Sequence, residues 1–222
     1  MAAWATSLLR DDLVPAPGAA SLELKMQSLI QTNNLNTNTF TFGAPLISRG
    51  TAENQRAGDC IEFDHIQVMW STISNTDSGT NRYAWAIVYD TMPDTSATPV
   101  MPLWTDVFSS TDPHAQYDGT PDAKERFIVV HHEFNWLNGK VQGSAGWPCR
   151  TGKFCIDLRG KGFYSRYKSS ATAGAYGNIV RGAWHIMGTG DQPPPGATST
   201  DCLLKINMRL AFKDVYVPGR RA

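Results

Sequence analysis

The sequence predicts an all-β domain, a sandwich or a jelly roll, and three observations carry that expectation. Apolar residues recur with a period of two in several long segments, helical periodicity is scarce, and long Pro- and Gly-bearing loops join the segments. The chain has 222 residues, enough for one large domain or two small ones at ~100–200 residues each, and neither a linker nor an internal repeat divides it. Hydrophobic residues make up 41% and charged residues only 18%, which excludes a disordered chain. No apolar run approaches the ~20 residues of a membrane-spanning helix. The opening Met1–Leu9, followed by Arg10-Asp11-Asp12, lacks the basic leader of a secretory signal. Cys60, Cys149, Cys155 and Cys202 form no CxxC pair and are expected as free, mostly buried thiols.

The clearest strand is Cys202–Asp214, where Leu204, Ile206, Met208, Leu210 and Phe212 alternate with Lys205, Asn207, Arg209 and Lys213. In Arg126–Leu137 the pattern puts Ile128, Val130, His132, Phe134 and Trp136 on one face. In Arg82–Asp90, Tyr83, Trp85, Ile87 and Tyr89 face one way, and Ala84, Ala86 and Val88 the other. Lys153–Arg159 and Ile179–Gly188 are further strands, the latter placing Val180, Trp184 and Ile186 together. Thr39–Ile47 and Phe163–Tyr167 are weaker. Cys60–Ser74 changes phase at Asp64-His65, which predicts a bulge or a bend between sheets. Ser21–Gln31 has the spacing of a short helix, and Leu103–Ser109 that of a helical turn inside the connection 91–125. The expected core includes Trp70, Trp85, Ile128, Trp184, Ile206, Leu210 and Phe212.

Net charge is zero but uneven. Residues 1–120 hold five Lys or Arg against thirteen Asp or Glu, a net of −8; residues 121–222 hold fifteen against seven, a net of +8. Such a chain can attract copies of itself or offer one basic face to a polyanion. The densest basic segment is 150–168, with Arg150, Lys153, Arg159, Lys161, Arg166 and Lys168 among Phe154, Phe163, Tyr164 and Tyr167. Cations there could meet phosphates and aromatics could stack on bases; the competing reading is a solvated surface over core aromatics. Lys205, Arg209 and Lys213 share the polar face of one strand, ~13 Å between successive cations. His131-His132-Glu133 resembles a metal cluster, but neighbours on a strand point to opposite faces. His132 is read instead as a hydrogen-bonded core histidine. No catalytic motif is present, so no enzyme activity, metal or cofactor is expected.

Several segments carry a resemblance. Ile47 through Asp59, containing Gly50, Asn54-Gln55-Arg56 and Gly58-Asp59, leads into Cys60–Val68. It resembles the "G…NQR.GD" approach to the first jelly-roll strand in coat proteins of small icosahedral viruses. Satellite tobacco necrosis virus and circular single-stranded DNA viruses of the geminivirus and nanovirus kind are the groups it is similar to. Arg82–Asp90, Pro99–Phe108, Arg126–Val130 and Leu203–Asp214 match later segments of those proteins in the same order.

The resemblance implies a single antiparallel eight-stranded jelly roll of two four-stranded sheets. It would be a capsid protein that self-assembles, most simply as sixty copies, around viral nucleic acid, with single-stranded DNA favoured. The expected layout is an arm or short helix at 1–38, the capsid domain at 39–217 and a tail at 218–222. Its place would be the virion, assembled in the host cell with the nucleus as one candidate compartment, and with no membrane partner. Subunit contacts are expected mostly from loops 91–125, 139–152 and 188–200 and from the N-terminal segment. One departure bears on the genome: residues 1–48 hold only Arg10 and Lys25 as cations, so no polybasic arm is present there. Folded residues, the nine cations above, are then expected to meet the nucleic acid. The alternative is a non-viral, lectin-like β-sandwich using Trp104, Trp136 and Trp147 on its surface.

Overall fold

The computed structural model describes residues 24–35, 39–43, 46–74, 80–138, 148–169, 171–191 and 202–215. In chain order these form β1 (Lys25–Leu35), β2 (Phe40–Gly43), β3 (Cys60–Ser74), β4 (Thr80–Asp90), α1 (Trp104–Val107), α2 (Pro121–Arg126), β5 (Phe127–Asn138), β6 (Cys149–Asp157), β7 (Tyr164–Tyr167), β8 (Ile179–Arg181), β9 (Ala183–Gly190) and β10 (Cys202–Asp214). One sheet runs β1-β10-β3-β7-β8, with β6 also paired to β3; the other runs β2-β9-β4-β5. Every pairing is antiparallel. The first three strands alternate between the sheets, and the last two insert between earlier ones: β9 between β2 and β4, β10 between β1 and β3. That interleaving is jelly-roll connectivity.

The first sheet has six strands rather than the expected four because one position is divided and β8 adds a further strand beyond β7. β6 pairs with β3 over His65–Ile73, and β7 takes over the same flank at Cys60–Glu62. Gly182 separates β8 from β9. It has φ +72°, and a Cβ there would lie 1.9 Å from the Tyr164 carbonyl oxygen.

The expected helix at Ser21–Gln31 is a strand. Lys25–Leu35 pairs residue for residue with Phe212–Cys202, so Leu29 packs against the core while Met26 and Ile30 point the other way. Eleven backbone pairings outweigh a helical spacing that four apolar residues can produce by coincidence. The first strand therefore lies inside the segment expected as an arm, and Cys60–Ser74 is the third strand, not the first.

The core lies between the sheets. Trp85, Ile87, Tyr89, Trp184 and Ile186 of one sheet pack on Phe63, Ile66, Ile206, Leu210 and Phe212 of the other. Trp70 and Ile128 are only half-buried against it. Hydrogen bonds cross the sandwich: Tyr89 Oη donates to the Tyr164 carbonyl (2.5 Å), Thr72 Oγ1 to Tyr83 Oη (2.9 Å) and Asn81 Nδ2 to Ser74 Oγ (3.4 Å).

Two bulges set which residues face inward. On β3 the register shifts at Asp64, as the phase change predicts. On β5 it shifts at Val130, which has no opposite residue on β4. The extra residue reverses the alternation beyond it. His131, not His132, turns inward, stacking on Phe154 (4.1 Å) and lying tilted against Trp85 (4.7 Å). His132 is exposed on the outer side, 4.8 Å from the Phe108 ring.

Residues 91–126 fold back over the outer face of the second sheet. Trp104, Val107 and Phe108 bury against Ala84, Ala86, Val88 and Met187. The small side chains of Ala84 and Ala86 leave room for the Trp104–Phe108 stack, whose centroids are 4.0 Å apart. Thr120 caps α2 by accepting from the Ala123 amide, with Pro121 in the first turn. At the end of this excursion Arg126 grips the fully buried Asp90 through two bonds, Nε–Oδ1 at 3.0 Å and Nη2–Oδ2 at 2.9 Å.

A second buried cation ties the loops of the first sheet. Arg56 is 0% exposed. Its guanidinium donates to the carbonyls of Ile47 (3.3 Å), Gly58 (2.5 Å) and Ala171 (2.6 Å), reaches Asp59 at 3.4 Å and lies 4.0 Å over the Tyr167 ring. Burial lowers its pKa from the ordinary value, against the opposing pull of Tyr167 and Asp59.

Arg56→Met is expected to destabilise the fold by about 3 kcal/mol or more in denaturant unfolding, since three carbonyls lose their donor. Arg56→Lys is expected to recover little, because a point ammonium cannot serve the planar fork.

Burial raises the Asp90 pKa, but His185 and Arg126 outweigh it and the net shift is downward. Its stabilising contribution is therefore full above the ordinary carboxylate value of ~3.9 and lost as pH falls through the depressed one. Arg126→Gln is expected to cost about 3 kcal/mol at pH 7, and the deficit should shrink on acidification below about pH 4. Denaturant melts at several pH values check this.

Candidate nucleic-acid interface

The outer face of the first sheet has no cover among the described residues. Its strands present alternate side chains in rows that the register defines. Successive rows read Thr32–Lys205–Ser71–Thr151, then Ile30–Asn207–Met69–Lys153, then Ser28–Arg209–Gln67–Cys155. Lys205, Arg209 and Lys153 thus form a triangle around Met69. With ~4.8 Å between strands and ~3.3 Å per residue, its sides are ~12–13 Å. All three cations are exposed, and none has an ion-pair or hydrogen-bond partner among the described residues. Met69 is 61% exposed between them.

Acidic groups collect at one end of this face, and local cations hold them. Asp157 accepts two bonds from Arg159, at 2.9 Å each, which hold its carboxyl well below the usual range. Lys161 Nζ donates to the Asp157 carbonyl (2.6 Å). Asp64 lies 3.2 Å from Lys213 and 2.8 Å from His65. Burial raises its pKa, while bonds from His65 and Lys213 outweigh that and lower it. A cleft of about 160 Å³ sits here, lined by Glu62, Asp64, Arg159 and Lys213.

The nine cations singled out by sequence fall into different settings. Lys153, Lys205 and Arg209 share the open face. Lys213 shares it but is tied to Asp64. Arg166 lies at the far end of the same face, opposite Cys60, and directly across from Arg181 on β8, a cation that sequence reading passed over. Arg181 lies 5.3 Å over the Tyr164 ring. Arg150 sits opposite Thr72, whose side chain points into the sandwich, so it projects at the sheet's end from the other side of β6. Arg159 and Lys161 belong to the turn after β6, and Lys168 follows β7.

The aromatics interleaved in 150–168 are not a stacking surface. Phe163, Tyr164 and Tyr167 are buried, and Phe154 packs half-buried against the core. Sequence reading also missed the apolar content of the open face: Met26, Ile30, Met69 and Ile73 are all exposed there. Of the tryptophans suited to a lectin-like surface, Trp104 is fully buried, Trp136 is 54% exposed, and Trp147 lies outside the described residues. Loop segments 139–147 and 192–200 and the tail 216–222 also lie outside them.

The Asp residues of the 91–106 region are engaged locally. Asp94 accepts from the Ser96 and Val100 amides and Asp106 from the Leu103 amide. Among the described residues no group of His, Cys, Asp and Glu is arranged to hold a metal ion.

No family model matches the sequence, and no curated protein matches it. Among solved structures, a chain of Desmodium yellow mottle tymovirus is similar, with 12% identity, 96% of this chain and 99% of that chain covered, and a TM-score of 0.40.

The free cysteines divide evenly, two exposed and two buried, rather than being mostly buried. Cys149 and Cys155 lie on the open face, whereas burial pushes Cys60 up to about 12. A thiol reagent at pH 8 is therefore expected to modify Cys149 and Cys155 in the folded protein, and Cys60 and Cys202 only after denaturation. Mass spectrometry of the labelled peptides reads the outcome.

Proposed function

We propose that this chain is a viral coat protein, a structural subunit that assembles with copies of itself into a closed icosahedral shell around nucleic acid. The observation that carries the reading is the asymmetry of the sandwich. One outer face is sealed by the chain's own 91–126 excursion, while the other is open and bears cations without partners among the described residues. A shell subunit needs one such surface turned to the genome, and the resemblance in residues 47–68 and 203–214 supports the same role. Sixty identical copies are the simplest closed arrangement.

In this reading Lys153, Lys205 and Arg209 form the main phosphate contact. Lys213 and Arg166 extend it, while Arg150, Arg159, Lys161 and Lys168 lie outside the triangle. With the nearby aromatics buried, contact goes to phosphate and carries no base readout, so packaging tolerates any sequence. Single-stranded DNA is the expected genome, and a nuclease that spares RNA identifies it in purified particles.

Electron microscopy of purified protein is expected to show uniform small shells; monomers alone across salt and pH overturn the reading. The triple variant Lys153→Gln, Lys205→Gln, Arg209→Gln is expected to form shells with less nucleic acid. Its log-affinity against log-salt slope for single strands should be shallower by about 2, at ~0.7 per phosphate contact. Lys213→Gln should change the slope less, because Asp64 already offsets its charge.

A further inference from the structure

Edge strands of a sheet offer unpaired backbone groups to any passing strand, and proteins blunt them with short length, charge, Pro or bulges. Four of the five edges here are blunted. β2 has four residues and β8 three. β5 is bulged at Val130 and carries His131, His132 and Glu133. β6 carries Arg150, Lys153 and Asp157, with Gly152 between them.

β1 has none of these devices. It pairs with β10 along all eleven residues without a register shift, and its other side is unpaired among the described residues. It contains neither Pro nor Gly. Its one charge, Lys25, is nearly buried and held by Asp214 at 2.9 Å and by the Gln55 carbonyl at 3.0 Å. The outward side chains are Met26, Ser28, Ile30, Thr32 and Asn34, all exposed and all uncharged.

We infer that β1 is the docking edge for a second copy of this chain, pairing antiparallel with the same strand about a twofold axis at Ile30. The inference rests on the shell reading above for the presence of further copies, and it names one of their contacts. The strand is self-complementary in this register. Ile30 is its central residue, so it meets its own counterpart, while Ser28 faces Thr32 and Met26 faces Asn34 of the other copy. No like charges oppose one another, and Ile30, the most exposed apolar side chain of the strand at 62%, loses its contact with water. The two six-stranded sheets become one continuous sheet, with both open faces on the same side. Backbone pairing supplies the adhesion and the alternate side chains the register.

The test uses the full chain with the two exposed thiols removed, Cys149→Ser and Cys155→Ser. In that background Ile30→Cys is expected to give a covalent dimer with a short bismaleimide. Met69→Cys, on the same face but two strands inward, should give at least tenfold less. Ile30→Lys places two ammonium groups together at the axis, and it should weaken association at least tenfold in sedimentation while melting like the parent. If Ile30→Lys melts lower, the Ile30→Cys cross-link decides. Equal cross-linking of the two cysteine variants, or undiminished association of a normally melting Ile30→Lys, overturns the inference. Closed shells in which Ile30→Cys does not cross-link overturn the strand pairing and leave the shell reading intact. Cross-linked dimers that never close into shells keep the pairing and overturn the shell.

Discussion

The buried guanidinium of Arg56 organises the half of the molecule on which the open face depends. Taking a charge out of water is costly, and the cost is offset only when every donor is used. Arg56 approaches that condition with an acceptor on each of its three nitrogens, the carbonyls of Ile47 and Gly58 in one loop and of Ala171 in another, and by lying over Tyr167. The chain must therefore bring the 46–59 loop and the 168–174 loop together beside β7. Arg49 joins the same junction, its amide donating to the Thr172 carbonyl at 2.8 Å. Asp214 completes it by accepting from the amides of Ala57 and Gly58 while holding Lys25. The ends of β1, β3, β7 and β10 are set by this one knot, and with them the register that places the cations. The Asn54-Gln55-Arg56-Ala57-Gly58-Asp59 run thus acts through architecture.

The two outer faces are treated in opposite ways for a reason visible in their side chains. β4 is apolar on both sides, and β9 is buried throughout. A strand of that kind needs cover on each face, and residues 91–126 supply it. The buried Asp90–Arg126 pair fixes where that cover returns to the sheet. β10, in contrast, alternates buried apolar residues with Lys205, Asn207 and Arg209. Ammonium and guanidinium groups keep their hydration only if no element is laid over them. The open face follows from that. Its apolar members, Met69 and Ile30 above all, gain nothing from water, and this is what makes the surface suited to contact rather than to display.

Bulges explain most of the differences between pattern and structure. One extra residue at Val130 exchanges the roles of His131 and His132, and no local feature of Phe127–Asn138 announces it. The bulge at Asp64 was legible because apolar residues on both sides of it change phase. β1 was illegible for another reason. An edge strand with one face on the core and the other in solvent carries few apolar residues, and their spacing also fits a helical turn. Only its pairing with β10, some 180 residues away, distinguishes the two. The exposed Met69 and the Arg166–Arg181 opposition arise in the same way, from partners distant in the chain.

Period-two alternation by itself determined that the chain is a β-sandwich, that Arg82–Asp90, Arg126–Leu137 and Cys202–Asp214 are long strands, and that Lys205, Arg209 and Lys213 share a side, because neighbours on a strand must point to opposite faces. The residue types of 47–59 carried the likeness to coat proteins. Tertiary structure alone decided the rest. It chose which side of each sheet is covered, which cations are neutralised, as Lys213 is by Asp64, and which are left free. It also brought Lys153 from β6 beside Lys205 and Arg209 on β10. Register between strands is a non-local quantity, set by loops, bulges and buried polar knots that join residues far apart in sequence. No pattern within a single strand contains it.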